Sequence, residues 1–173
     1  SLGGGTLVDP TSSQALQVST VAGVTSLQWA HDSSPATVSS GEAAAHLTTI
    51  NETVGDWRAQ LDAVAAAVVS QVNSLQTAGY DLDGTLGTSL FAAGGTTAAT
   101  ISVALTDGTK IAASSIAPTA GVPSLDGSKA DAIAQLSRST GGPDDLYQEL
   151  VVSLGTQVQS ADQTSAVQEA MTR

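Results

Sequence analysis

The sequence predicts a mainly α, α+β fold in which long antiparallel, coiled-coil-like helices form a rod carrying small β lobes or hairpins. Three observations carry that prediction. Trp57, Leu61, Val64, Val68, Val72 and Leu75 recur at steps of three and four, which places them on one helical face. Tyr147, Val151, Leu154, Val158 and Ala161 repeat the same spacing near the end of the chain. Between and before these runs lie Thr/Val/Ser-rich stretches broken by Gly and Asp-Gly turn signals.

Taken in order, Gly3–Gly5 and Asp9-Pro10 read as turns around a short strand fragment, Thr6-Leu7-Val8. Residues 14–21 and 24–30 read as two strands joined at Ala22-Gly23. His31–Pro35 is a loop, and Ala36-Thr37-Val38 reads as a further short strand. Ser39 and Glu42 have the spacing of a capping box, opening a helix over 41–52. Gly55 is expected to break it, with Asp56 capping the main helix over 56–77. Ala63 and Ala65–Ala67 favour that helix, and Gly79 is expected to end it. Asp81, Asp83 and Gly84 follow as turn residues. Thr100–Leu105 and Lys110–Ala113 read as a hairpin around Asp107-Gly108. Residues 114–127, with Pro118, Gly121, Pro123 and Gly127, form a loop, and a short helix covers 129–138. Pro143, followed by Asp144 and Asp145 at the positive end of the dipole, opens the last helix. The expected division is a helical rod from 1–40, 41–78 and 126–173, with a β/loop lobe at 79–125 inserted between the long helices.

Composition limits function. Five Lys and Arg against sixteen Asp and Glu leave a net charge of −11, which repels nucleic acid and anionic membrane surfaces. The absence of cysteine removes disulfides, Cys-ligated zinc and thiol nucleophiles. Aromatic residues at 3% leave few stacking platforms and a core of Ala, Val, Leu and Ile. No apolar run reaches the roughly 20 residues of a membrane span, and no basic, apolar leader is visible. The Gly-rich start and the end within a helical pattern read as a piece of a longer protein.

Chemistry is sparse. Asp81-Leu82-Asp83-Gly84 has the opening of a calcium loop, but the twelfth position is Ala92 instead of Glu, so a structural turn is the preferred reading. Glu42 and His46 make only half a metal site, and His31 lies in a loop. Gly3–Gly5 precedes a strand and not a helix, so it is no phosphate cradle. Asp144-Asp145 reads as capping, and Trp57 and Tyr147 as core. There is no nucleophile elbow, Walker A lysine or dinucleotide fingerprint. No catalytic, cofactor-binding or metal residue is assigned, no cofactor is expected, and the chain is not expected to be an enzyme.

The stretch from Leu61 to Phe91 resembles the flagellar hook-associated protein 1 family (FlgK-type). The matching residues are Leu61, Asp62, Ala65, Val72, Asn73, Gly79, Asp81, Leu82, Gly84, Gly87 and Phe91. Gln76 stands in the region where the family usually has a His. Gly4–Asp9, Ser40–Glu42, Ile101–Val103, Ile111–Ala113, Asp126 with Ala130–Leu136, and Asp145–Gly155 are similar to further family pieces in the same order. The resemblance implies a non-catalytic structural subunit that joins hook to filament. It implies export through the flagellar export apparatus, an extracellular flagellar location, and partners among hook protein, the neighbouring hook-associated protein and further copies in a ring. The piece lacking terminal polymerisation helices is expected to be monomeric in solution. Two alternatives stand beside this: another axial protein of flagellin or third hook-associated type, and an extracellular binding module or enzyme with an unrecognised site.

Overall fold

The structure is a computed structural model that describes residues 7–8, 11–119, 122 and 124–172. It is mainly helical, with one small antiparallel sheet. The elements are β1 (Leu16–Val21), β2 (Val24–Trp29), α1 (Gly41–Thr48), α2 (Val54–Thr77), α3 (Ser128–Ala134) and α4 (Pro143–Thr172). The chain divides into two compact units, Ser1–Asp56 and Trp57–Arg173. The expected turns at Gly3–Gly5 and Asp9-Pro10, Thr6 of the first strand fragment, and Gly121 and Pro123 lie outside the described residues.

In the first unit the hairpin forms as its sequence predicts. Val21 pairs with Val24 across Ala22 and Gly23, whose φ values of 50° and 84° match the twist of the flanking strands. The outer edge of β2 is then covered piece by piece. Ala36 N–H donates to Leu27 and Trp29 N–H donates to Ser34, so the expected strand at 36–38 is reduced to a bridge at Pro35. Asn51 completes the edge: its Oδ1 accepts Thr25 N–H at 2.7 Å and its Nδ2 donates to Thr25 C=O at 2.8 Å.

Asn51 sits in a π-helical turn, Thr49–Thr53, between α1 and α2. That turn replaces the break expected at Gly55, which is an ordinary helical residue, as is Asp56. An inserted residue in a helix re-aims a side chain, and here the re-aimed side chain is the one that grips β2. The capping box at Ser39–Glu42 does not form. The helix starts at Gly41, where expected, but its N-cap is Ser40, which makes no side-chain bond, and the Glu42 carboxylate lies 3.4 Å from His46 Nε2 instead.

In the second unit, α2 buries Ala65, Val69, Val72 and Gln76. At roughly 100° per residue, this face is about a quarter turn from the apolar seam read from the sequence. The seam itself is only partly covered: Leu61 stays exposed, and Trp57 Nε1 donates to Gln157 of α4 at 3.0 Å. On α4, the seam residues Tyr147, Val151, Leu154 and Val158 are exposed rather than buried. Close packing along two facing apolar seams is therefore not what this chain shows. No described helix is long and apolar enough to cross a membrane.

The expected hairpin at 100–113 is absent. Asp107 accepts Thr109 N–H and hydroxyl, which winds Gly108–Lys110 into a 3-10 turn. Residues 102–104 bond to Leu90 and Ala92 in place of 110–113, through Ala92 N–H to Ser102 and Ala104 N–H to Leu90. α3 continues as a 3-10 turn to Arg138, close to the helix expected over 129–138. At the start of α4, Asp145 accepts Gly141 N–H at 2.8 Å, as its capping reading requires.

Replacing Asn51 by Ala removes both bonds to Thr25 and should cost on the order of 1–2 kcal/mol. Amide exchange read by NMR should speed up at Thr25 while the amides of α2 beyond residue 60 keep their protection. Unchanged protection at Thr25 would show that the π-helical turn does not hold the hairpin.

Candidate functional site: the junction where α2 gives way to loops

Among the described residues between Thr77 and Ser128, the only helical element is a single 3-10 turn, Gly108–Lys110. Their main-chain groups need partners, and α2 supplies several of them from one stripe of polar side chains. Asp62, Asn73 and Gln76 fall within about 60° of arc on that helix. Asp62 Oδ1 accepts Ala98 N–H at 2.8 Å. Asn73 pairs with the main chain of Phe91 in both directions, accepting its N–H at 2.9 Å and donating to its C=O at 3.0 Å. Gln76, with no exposed surface, donates to Lys110 C=O at 3.0 Å and accepts Ala112 N–H at 3.2 Å. Ala112 beside it is also fully buried. Three amide or carboxylate side chains thus act as a strand edge mounted on a helix.

Glycines let the loops come close enough for these bonds. A Cβ on Gly87 would lie 2.1 Å from the Gln76 carbonyl oxygen, and one on Gly79 would lie 2.8 Å from that of Ala112. Gly79 is therefore not the left-handed helix cap expected from its position; it is the point of closest approach between the end of α2 and residues 110–114. Gly87 N–H donates to Gly79 C=O at 2.9 Å, which closes the turn between them. Gly84 alone of the three has positive φ, +77°.

Asp81 and Asp83 form that turn, and their carboxylates are engaged by the chain itself. Asp81 is 5% exposed. Its Oδ1 accepts Asp83 N–H at 2.9 Å, Thr85 N–H at 2.8 Å and the Thr85 hydroxyl at 3.1 Å. The Lys110 ammonium reaches its Oδ2 at 3.3 Å and also bonds Asp83. The Thr85 main-chain N–H above all, with the Lys110 ammonium and the Thr85 hydroxyl, holds the Asp81 carboxyl below its ordinary range despite burial. Asp83 first and Asp81 second raise the Lys110 ammonium. The residues that opened a calcium loop in the sequence are thus brought together with a lysine, and the arrangement is an Asx turn locked by an ion pair. Glu42 pairs with His46 and His31 with Asp32, each pair within one local segment.

A second polar cluster anchors the return of the chain into α3. Asp126 Oδ2 accepts Ser115 N–H at 2.7 Å, the Ser115 hydroxyl at 2.8 Å, the Ser128 hydroxyl at 3.0 Å and the Ser114 hydroxyl at 3.1 Å. Its Oδ1 accepts Ser128 N–H. The Ser115 hydroxyl and N–H, then the N–H and hydroxyl of Ser128, drive the Asp126 carboxyl far below the usual carboxylate range. The sequence singles out Asp126, and Ser128 only as the opening of the short helix, where the N-cap is in fact Gly127; Ser114 and Ser115 have no spacing that marks them.

The residues that close this junction are those of the Leu61–Phe91 motif. A family model described as the flagellar hook-associated protein FlgK helical domain matches residues 1–91, just over half of the chain. The chain belongs to this family. FlgK-family proteins are structural, flagellar components. Searches of curated proteins and of solved structures returned no match. The family match ends at Phe91, the residue whose main chain Asn73 holds, so it spans α2 and the turn that follows it but not Lys110, Ala112 or the Asp126 cluster.

Asp126 is held below the ordinary aspartate value of about 3.9, so its bonds stabilise the fold above that pH and are lost as the pH falls below it. The melting temperature of the chain should therefore drop in acid below about pH 4. Asp126→Asn should melt lower at neutral pH and lose less on acidification, as read by circular dichroism. Among the glycines, Gly84→Ala should cost about 1 kcal/mol for its left-handed backbone. Gly87→Ala should cost at least about 2 kcal/mol more, because the Gln76 carbonyl has to move. Urea denaturation of the two variants gives the comparison, and equal losses would contradict the close-approach reading.

Proposed function

We propose that this chain is the middle part of a subunit that joins the flagellar hook to the filament. The observation that supports this reading is the family match over residues 1–91, together with a junction in which Asp62, Asn73, Gly79, Asp81, Gly84, Gly87 and Phe91 of the motif set main-chain contacts or geometry. In this reading residues 1–40, 41–78 and 126–173 belong to a helical rod, coiled-coil-like in the full-length protein, and residues 79–125 to a lobe inserted between its long helices. The stripe of exposed apolar residues on α4, Tyr147, Val151, Leu154 and Val158, fits a rod whose remaining helices come from elsewhere in the full-length protein. The role is mechanical and needs no catalysis. The partners are hook protein on one side, the neighbouring hook-associated protein on the other, and further copies of the same subunit in a ring. The protein acts outside the cell, reached through the flagellar export apparatus. A chain without cysteine is compatible with such a route.

Antibodies raised against this chain should label isolated flagella at one band between hook and filament in electron micrographs. Label along the whole filament would point to a flagellin, and label confined to the filament tip or absent from flagella would overturn the proposal.

A further inference from the structure

The hairpin of the first unit has one covered edge and one bare edge. Main-chain groups of Thr25, Leu27 and Trp29 point away from β1 and are taken by Asn51, Ala36 and Ser34. Their cross-strand partners are Thr20, Leu27's neighbour Val18, and Leu16. In an antiparallel ladder, residues opposite an outward-facing pair also face outward, so Leu16, Val18 and Thr20 present their N–H and C=O groups on the free side of β1. No described group bonds them. The strand, Leu-Gln-Val-Ser-Thr-Val, has none of the usual protections of an edge: no proline, no charge and no bulge. Val18 and Val21 are 68% and 69% exposed.

We infer that β1 is a pairing edge and that its occupant is β1 of a second copy of this chain. Charge selects the occupant. The chain carries −11, so two copies repel over most of their surfaces, yet Thr11–Ala30 contains no Asp, Glu, Lys or Arg. This uncharged strip is where like copies meet at least electrostatic cost. The strand is also self-complementary. With Val18 opposite Val18 of the other copy, Leu16 faces Thr20 in both directions, and the three outward residues of each strand meet as hydrogen-bonded pairs, about six main-chain bonds in all. The contact joins two hairpins into a four-stranded sheet, which relieves the marginal stability of a two-stranded one. Such a contact is small and weak by itself, so the chain remains single at dilution. It strengthens by mass action as the chain concentration rises. The pairing is a property of this chain alone and stands apart from the flagellar reading.

The test is a concentration series of the full 173-residue chain by amide NMR, from tens of micromolar to about 1 mM. The expected result is concentration-dependent shifts centred on the amides of Leu16, Val18 and Thr20. V18K and V18E should each weaken the association at least tenfold, because like charges then face each other at the centre of the pairing. An equimolar mixture of the two should restore it. Cross-strand contacts between Thr20 and Thr25 report that the hairpin is intact, and Thr20→Lys serves as a second edge variant if a Val18 variant disturbs it. No concentration dependence in the unsubstituted chain overturns the inference. So do shifts that map to α4, or an association that the edge variants leave unchanged.

Discussion

The constraint on which the second unit depends is the satisfaction of main-chain polar groups in a long segment that makes almost no regular structure. Between α2 and α3 the chain runs from Ala78 to Gly127, with one 3-10 turn among the described residues. Where such a segment is buried, as at Asp81, Ala112 and Ser114, it is unfavourable unless its N–H and C=O groups find partners. Gln76, Asn73 and Asp62 provide them from the helix, and Asp81 and Asp126 provide them from within the loops. Side chains of one helix thus do what neighbouring strands do in a sheet. The cost is that α2 must offer a polar and small-residue face, and its larger apolar side chains are turned elsewhere.

That exchange explains how much of the fold was readable beforehand. The hairpin at 16–29 was readable because Ala22-Gly23 adopts the left-handed turn its sequence favours. The long helices were readable because propensity and period agree over many turns. The buried face of α2 was not, since periodicity counts apolar residues and the decisive contacts belong to Gln76, Asn73 and Ala65. The second hairpin was misread because Asp107-Gly108 serves equally well as a side-chain-capped 3-10 turn, and long-range bonds to Leu90 and Ala92 decided between them. Gly79 was placed correctly at the end of the helix but for the wrong cause: crowding against Ala112, not a left-handed cap.

The junction also gives the family motif a physical meaning. Asn73, Gly79, Asp81, Gly84, Gly87 and Phe91 are spread over nineteen positions, yet each sets the distance or direction of a main-chain segment at the end of α2. Gln76 makes the most buried of these contacts. An amide can donate and accept at once without titrating, which suits a fixed joint. In the proposed reading this is the joint between rod and lobe, and the exposed apolar stripe on α4 is where further helices would pack.

The most direct measurement is the response of the loop to Gln76→Leu, which keeps the side chain close in size but replaces its amide with an apolar group and so removes both of its bonds. The account predicts a loss on the order of 2–4 kcal/mol in denaturant unfolding, since Ala112 N–H and Lys110 C=O are left buried without partners. It also predicts rapid amide exchange across 110–114 while the first three turns of α2 after Trp57 stay protected. Unchanged stability, with Ala112 still protected, would contradict the claim that the helix holds the loops through its polar stripe.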